Sequence, residues 1–506
     1  MNGKILAAAE VIPVFLVLTI CLFGGRWFSP FGSTTTPIFQ TTTVAIKDPL
    51  IQLMCVLGMT GYFILFALLL RGFTAIVFWR ISNPQLWLVG MVLIGIGDYA
   101  INCFMTSQST QALTFVFGTT LGSGLGLWIL RLKHCRSKEQ GIIVIFVLLI
   151  LMLAVASIWH PESILVFHYR DRERWSGPWD NPNIFGLLMG TGVLLAFGLG
   201  IRGWKMADGR SKMADRNWKP GIGRYAVVGL SLVSAGLMGR GLMHSYSRGS
   251  WLATLCGLAC LVGSWFWRLS SGEGDELQVS KMKGGKRKAK IVCISRFKNY
   301  WLPAGVILFS VFVLSFSHFR QTEWYPVHRA LSAGNQNDFS WRNRVAAWEG
   351  ALQITAEYPW FGAGWNQPEP LYEHYYLPPR FTESAAIKMN DYFLLGATLG
   401  IPALFCFGMY LWLSLGDRSR EMGDRRQQVA GRGQKPEIGR QDLNFKLRTP
   451  NCGLLSMTCH AGAIVLLVGF WFDGGLFKLA TASTFWILLE LGNRETHKSH
   501  EMKQGG

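Results

Sequence analysis

Apolar residues in this chain gather into blocks of about twenty, parted by short polar stretches that hold most of the charge. The blocks fall at 5–24, 49–70, 84–104, 111–130, 141–159, 184–201, 225–243, 251–267, 301–316, 391–415, 454–472 and 475–491. A helix rises about 1.5 Å per residue, so roughly twenty residues match the hydrocarbon core of a bilayer. Backbone N–H and C=O groups in lipid must pair within their own segment, and each block is therefore expected to be helical. The pattern predicts an all-α, polytopic membrane protein of about twelve transmembrane helices, a single transmembrane domain over 1–506. The first block is too long for a signal peptide's apolar core, and no small-x-small cleavage site follows it. The last two blocks share a tight turn at Asp473 and Gly474.

Composition agrees with the pattern: 50% of residues are hydrophobic and 16% charged. The net charge of +19 would suggest nucleic acid as the partner of a soluble chain. Here the basic residues instead follow the segments that alternate with the spans. With a cytoplasmic N-terminus, 35 of the 49 lysines and arginines fall on the cytoplasmic side. The reading puts both termini inside and makes 269–298 and 416–450 basic cytoplasmic loops, with nucleic acid excluded as a partner and membrane lipids as the surroundings. The opposite, periplasmic face receives three long connections, 25–48, 160–183 and 318–390. A long connection is where function is expected. The ten cysteines lack zinc-ligand spacing, and Cys256 with Cys260 reads as core.

The loop 318–390, inserted between the ninth and tenth blocks, holds one clear helix beginning near Ser340 and ending before Pro359. Val345, Trp348, Leu352 and Thr355 make its apolar stripe, and the helix is expected to lie on the outer membrane surface. Arg344 flanks that stripe, whereas Arg342 points about 110° away from it. Gly362-Ala363-Gly364 allows a sharp reversal afterwards. A second arginine lies in Ser247-Arg248-Gly249, between the seventh and eighth blocks, with Arg240 about two turns deeper. Positive charge there runs against the loop bias and calls for an anionic partner. The third site, 174–183, joins Arg174 to Asn181 and Asn183 through a Gly- and Pro-rich turn.

Together these segments resemble the O-antigen ligase/O-antigen polymerase superfamily of bacterial membrane glycosyltransferases. The resemblance rests on Arg174 to Asn183 (R-x-x-G-x-x-x-N-P-N), on Ser247-Arg248-Gly249, and on Arg344-x-x-x-Trp348 followed by Pro359-Trp360-Phe361-Gly362-Ala363-Gly364. Asn390-Asp391-Tyr392-Phe393 and Leu399-Gly400-Ile401-Pro402 resemble the segment that comes next. The resemblance implies transfer of a glycan from an undecaprenyl-diphosphate carrier to a hydroxyl on a glycan, lipid or protein acceptor, at the periplasmic face of a bacterial inner membrane. It implies neither metal nor cofactor. Arginine forks suit a diphosphate, whose oxygens they bind in pairs. On this reading Arg248, Arg344, His374 and Asp391 are the candidate catalytic residues. Arg174, Asn181, Asn183, Arg240, Arg342, Trp348 and Asn390 are the candidate substrate-binding residues. Met389 stands where many members carry the His thought to assist the acceptor. That departure brings in His374, with Glu373 and Asp391 as other bases. Arg174, Arg248 and Arg344 are expected to converge on one diphosphate.

Other features point to packing. Gly118, Gly122 and Gly126 recur every four residues, which permits close helix approach. Glu10, Lys478 and Glu490 lie near block ends and read as snorkelling, which leaves Asp98 as an internal partner for an arginine. Tyr372, Tyr375 and Tyr376 could stack on sugar rings or pack the loop. A transporter for lipid-linked oligosaccharide is the competing function, and it would want related halves and broken helices near the midplane.

Overall fold

A computed structural model describes residues 3–27, 83–103, 110–131, 138–159, 166–169, 171–179, 181–211, 222–270, 339–381, 383–431 and 452–493. Its helices are α1 (Gly3–Trp27), α2 (Asn83–Cys103), α3 (Thr110–Arg131), α4 (Lys138–Ile158), α5 (Pro182–Ser211) and α6 (Ile222–His244). Then come α7 (Arg248–Ser270), α8 (Phe339–Glu357), α9 (Asp391–Gly431), α10 (Cys452–Phe472) and α11 (Leu479–Gly492). Short helical turns occupy Gly177–Trp179, Pro368–Leu371, Tyr372–Tyr376 and Ser384–Met389, and a two-residue ladder pairs His168–Tyr169 with Arg172–Glu173. Ten of the twelve apolar blocks fall among the described residues, and each is a helix. Blocks 49–70 and 301–316 lie outside them, as do the loop segments 28–48, 272–298 and 318–338. The chain forms two units, residues 1–262 with 342–506, and residues 263–341. The first is described here.

Six described helices are long and apolar enough to cross a membrane, and shorter apolar helices cover Ile12–Gly24, Thr114–Ile129 and Leu479–Gly492. α11 is buried along its whole length and packs on α1, α3 and α10, while α5 packs on α4, α6 and α10. The outer helices turn large apolar residues outwards: Leu230, Leu232 and Val233 on α6, Leu252, Leu255 and Leu258 on α7. In water such faces would be aggregation patches. Lipid is itself apolar, so a spanning helix gains nothing by hiding leucines and instead sets small residues against its neighbours. The glycine series on α3 does this. A Cβ at Gly122 would lie 2.6 Å from the Ser483 carbonyl oxygen, one at Gly126 2.7 Å from Glu490 Cβ, and one at Gly118 3.0 Å from Ala482 Cβ. The expected close contact is therefore the α3–α11 seam.

The intramembrane charges fare differently. Glu490 is fully buried and accepts the Tyr410 hydroxyl at 2.7 Å, so it is an internal cross-link between α11 and α9 and does not snorkel. Lys478 is exposed just before α11. The Glu10 side chain lies outside the described residues.

α5 runs antiparallel to α6 and to α10, whereas α3 runs parallel to α11, and a defined set of helix ends comes together. The Trp179 indole N–H reaches the Leu22 carbonyl at the end of α1. The turn between α6 and α7, the turn between α10 and α11, and the starts of α5 and α9 share that end. The starts of α10 and the finish of α11 meet at the other, through Ser456 Oγ donating to the Gly492 carbonyl.

α8 is a helix over Phe339–Glu357, as expected, but only half of the expected stripe, Trp348 and Thr355, is partly buried. Asn343, Ala347, Gly350, Ala351 and Ile354 face inwards, against Tyr372, Ala386, Ile387 and Ala397. Val345 and Leu352 are exposed. Small residues let the backbone of α8 approach its neighbours closely. Gly350 lies under the Tyr372 ring, where a Cβ would meet Cδ2 at 2.4 Å. Tyr372 is thus a packing residue, whereas Tyr375 is exposed.

Candidate active site

The turn between α6 and α7 is built by its own serines. Ser245 Oγ accepts the Ser247 backbone N–H at 3.2 Å, and Tyr246 takes a left-handed conformation at φ 49°. Ser247 Oγ accepts the Ser250 N–H at 3.2 Å, capping α7. The same hydroxyl donates to Asp473 Oδ2 at 2.7 Å, and Ser250 Oγ lies 3.4 Å from that oxygen. Gly249 leaves room for the carboxylate: a Cβ there would stand 2.3 Å from Asp473 Oδ2. Asp473 thus rests against the first turn of α7, where the helix dipole favours an anion. From the other side Arg344 Nη2 approaches Asp473 Oδ1 at 3.5 Å. The Asp473 side chain is 2% exposed and that of Arg344 19%. A carboxylate so buried is costly unless paired and hydrogen-bonded, and here it is both.

Asp473 was not among the residues singled out from the sequence. It sits in a turn where Gly474 and Gly475 take φ of 70° and 149°, which reverses the chain from α10 into α11. That turn is held by Asp391. Its Oδ2 accepts the Leu476 backbone N–H at 2.6 Å, and its side chain is fully buried. Asp391, expected as a proton acceptor, thus holds with this oxygen the turn that carries Asp473. Asn390 likewise caps α9, its Oδ1 accepting the N–H groups of Tyr392 and Phe393 at 3.1 Å. Met389 ends the helical turn Ser384–Met389 just before it and is half-buried.

The segment 174–183 closes the site on the α5–α6 side. Arg174 donates from Nε to the Ser245 carbonyl at 2.9 Å and from Nη2 to Asn183 Oδ1 at 2.7 Å. The Trp175 N–H reaches the His244 carbonyl at 3.0 Å. The carbonyls left open at the end of α6 are thereby satisfied. Trp175 stacks on His244 at 4.2 Å between ring centroids, and the Arg240 guanidinium lies 5.4 Å from the Trp175 ring. Asn181 Oδ1 accepts the N–H groups of Asn183 and Ile184, with Pro182 first in α5. So Asn181 is a helix cap, and Asn183 orients Arg174. Ser250 Oγ completes the chain of contacts by donating to the Asn183 carbonyl at 3.1 Å.

One hydrogen-bonded network thus runs from Arg174 through Asn183, Ser250, Ser247 and Asp473 to Arg344, with Arg248 half-buried at the head of α7. Trp348, one turn beyond Arg344, packs on Phe393 and Trp471 at 6.2 and 5.8 Å. Two expected residues stand apart among the described contacts. Arg342 is exposed on the first turns of α8, as its helical phase implies. His374 is exposed on the turn Tyr372–Tyr376, its ring edge-on to Tyr375 at 4.5 Å.

The Pro359-to-Gly364 segment and the Leu399-to-Pro402 segment, far apart in sequence, form a single joint. α9 is broken at Gly400 (φ 80°), which frees carbonyls ahead of Pro402. Ala363 N–H and Gly364 N–H donate to the Ala397 and Thr398 carbonyls at 2.8 and 3.1 Å, and Ile401 N–H donates to the Pro359 carbonyl at 2.8 Å. Asp98 accepts the backbone N–H of Trp365 at 3.2 Å, so it secures this loop to α2.

No curated protein matches the chain. Residues 233–408 match the family model described as O-Antigen ligase. The match covers the Ser247-Arg248-Gly249 turn, Arg344 and the joint on α9, and ends before Asp473. That match supports membership of the O-antigen ligase/O-antigen polymerase superfamily, on the part of the chain that carries the Ser247-Arg248-Gly249 turn and Arg344.

Proposed function

We propose that this multi-pass membrane protein transfers a glycan from an undecaprenyl-diphosphate carrier to an acceptor hydroxyl, at the periplasmic end of its helix bundle. The observation that carries the reading is that one buried carboxylate, Asp473, has both the Arg248-bearing turn and Arg344 held against it. Two arginines distant in sequence are thereby fixed at one end of the bundle, beside Arg174 and Arg240. An arrangement of this kind suits a diphosphate, which is a good leaving group once its charge is met. In the step, the acceptor oxygen bonds to the anomeric carbon. The carbon–oxygen bond to the diphosphate breaks with its electrons going to the phosphate, and the hydroxyl proton passes to a base. Each charge-assisted hydrogen bond to the phosphate contributes roughly 1.5–3 kcal/mol. Those that strengthen as the leaving oxygen gains charge lower the barrier.

Asp473, Asp391, Asn181, Asn183 and Asn390 act in this reading as positioning residues, because their polar atoms are engaged with the protein. His374 is the group assigned to the acceptor side, and a variant tests it. In purified protein supplied with a diphosphate-linked glycan and a saccharide acceptor, Arg248→Ala and Arg344→Ala should each lower transfer by about 100-fold or more. Undiminished transfer in both variants refutes the proposal. Movement of lipid between leaflets with the diphosphate never cleaved would instead support the transporter. If His374→Ala retains transfer, the proton acceptor is another group.

A further inference from the structure

The joint between α8 and α9 leaves two aromatic residues without protein cover. Trp360 is 70% and Phe361 74% exposed. Backbone hydrogen bonds fix where they sit: Pro359, Ala363 and Gly364 are tied to α9 between Ala397 and Ile401. That is inside the stretch Asp391–Leu415, which is long and apolar enough to cross a membrane. Gly400 lies nine residues beyond Asp391, about 14 Å along the helix axis at 1.5 Å per residue. The aromatic pair is therefore held well below the end of the bundle that carries the arginine network. From the same level downwards α9 shows a continuous exposed stripe, Ile401 (53%), Phe405 (56%) and Trp412 (70%), spaced four and seven residues apart. Trp360 and Phe361 stand at the head of that stripe. On α8 itself, exposed Val345 and Leu352 lie beside exposed Arg342, Glu349 and Gln353, the division of a helix lying at a membrane–water boundary.

We infer that residues 359–364 enter the bilayer from the side of the large loop and seat Trp360 and Phe361 among phospholipid acyl chains. The turn is a membrane anchor for α8, and it sets the depth of Arg344 four helical turns away. The occupant is bulk acyl chain, because the patch continues the lipid-facing stripe of a spanning helix instead of forming a closed groove. A backbone that enters hydrocarbon must have its polar groups paired, and the three hydrogen bonds to the break in α9 supply partners for the turn. The inference rests on α9 crossing the membrane and not on the catalytic reading.

The test uses full-length protein in dioleoylphosphatidylcholine vesicles free of prenyl lipid. The photoreactive replacement Phe361→benzoylphenylalanine, made separately from the same replacement at Tyr375, preserves aromatic bulk. Irradiation should add one phospholipid to the protein carrying the label at 361 and none to the one carrying it at 375, which stands exposed beside Glu373 and His374. The same label at Trp412 is the control for the span. No adduct at 361 while 412 labels, or equal labelling at 361 and 375, overturns the inference. A further sample containing polyprenyl diphosphate separates the sources. An adduct at 361 formed only with that lipid assigns the patch to a donor tail and overturns acyl-chain anchoring. Loss of glycan transfer without loss of the adduct counts against the function and leaves the anchor standing.

Discussion

Gly249→Ala should disable transfer while leaving the protein folded, and the reasoning can be followed atom by atom. The new methyl carbon would lie 2.3 Å from Asp473 Oδ2 and 2.7 Å from its Cγ, where ordinary contact begins at 3.4 Å. The carboxylate must therefore withdraw by about 1.1 Å. It cannot do so and keep the 2.7 Å bond from Ser247, which would open beyond hydrogen-bonding reach. Losing a hydrogen bond to a charged group costs about 1.5–3 kcal/mol, and forcing a methyl into a packed site costs typically 1–3 kcal/mol. The catalytic loss should be larger than either suggests. Asp473 also orients Arg344, and misplacing a reacting arrangement by about 1 Å can cost on the order of 100-fold. Transfer rates would be measured with a diphosphate-linked donor, alongside thermal unfolding of the same preparation. Gly239→Ala is the matched control, since no atom lies within 4 Å of a Cβ there, and helix propensity predicts a gain of up to about 1 kcal/mol. If Gly249→Ala transfers glycan within twofold of the parent, Asp473 does not hold the site together.

Two further outcomes test the scaffold. Gly122→Leu should part α3 from α11, because even a Cβ at that position would meet the Ser483 carbonyl at 2.6 Å and its Cα at 2.8 Å. A destabilisation of at least about 1–3 kcal/mol in denaturant unfolding is expected, and an unchanged midpoint would mean the seam is not built as described. Asp391→Asn keeps an oxygen able to accept the Leu476 N–H and should retain most transfer, whereas Asp391→Ala removes that acceptor and should lose it. Equal loss in both variants would show that the charge of Asp391, and not its hold on the turn, is what transfer needs.

The joint on α9 shows how residues alike in type come to serve differently. Gly362 and Gly400 both take positive φ, at 66° and 80°, and each is pressed against the other's segment. A Cβ at Gly400 would lie 2.7 Å from the Trp360 carbonyl carbon, and one at Gly362 2.3 Å from that of Thr398. The pair of glycines is needed for backbone to meet backbone. This is how an irregular segment satisfies its polar groups beside a spanning helix.

Much of this was legible in the sequence by itself. Lipid requires every backbone group to pair locally, so the length of each apolar block was enough to predict a helix, and all ten blocks among the described residues are helices. The glycine spacing on α3 announced a close seam for the same local reason, since one helix face repeats every three to four residues. The arginine-bearing segments could be named from order and spacing. Tertiary structure decided the rest. Which face of α8 packs depends on the neighbours the fold gives it, so Val345 and Leu352 point outwards and the small residues inwards. Asp391 and Asn390 could be named from the sequence, but the turn and cap they serve came from the fold. Asp473 was legible only as part of a turn between two apolar blocks. A lone carboxylate in a two-glycine turn acquires its role only when the turn from α6 to α7 and the helix carrying Arg344 are brought to either side of it.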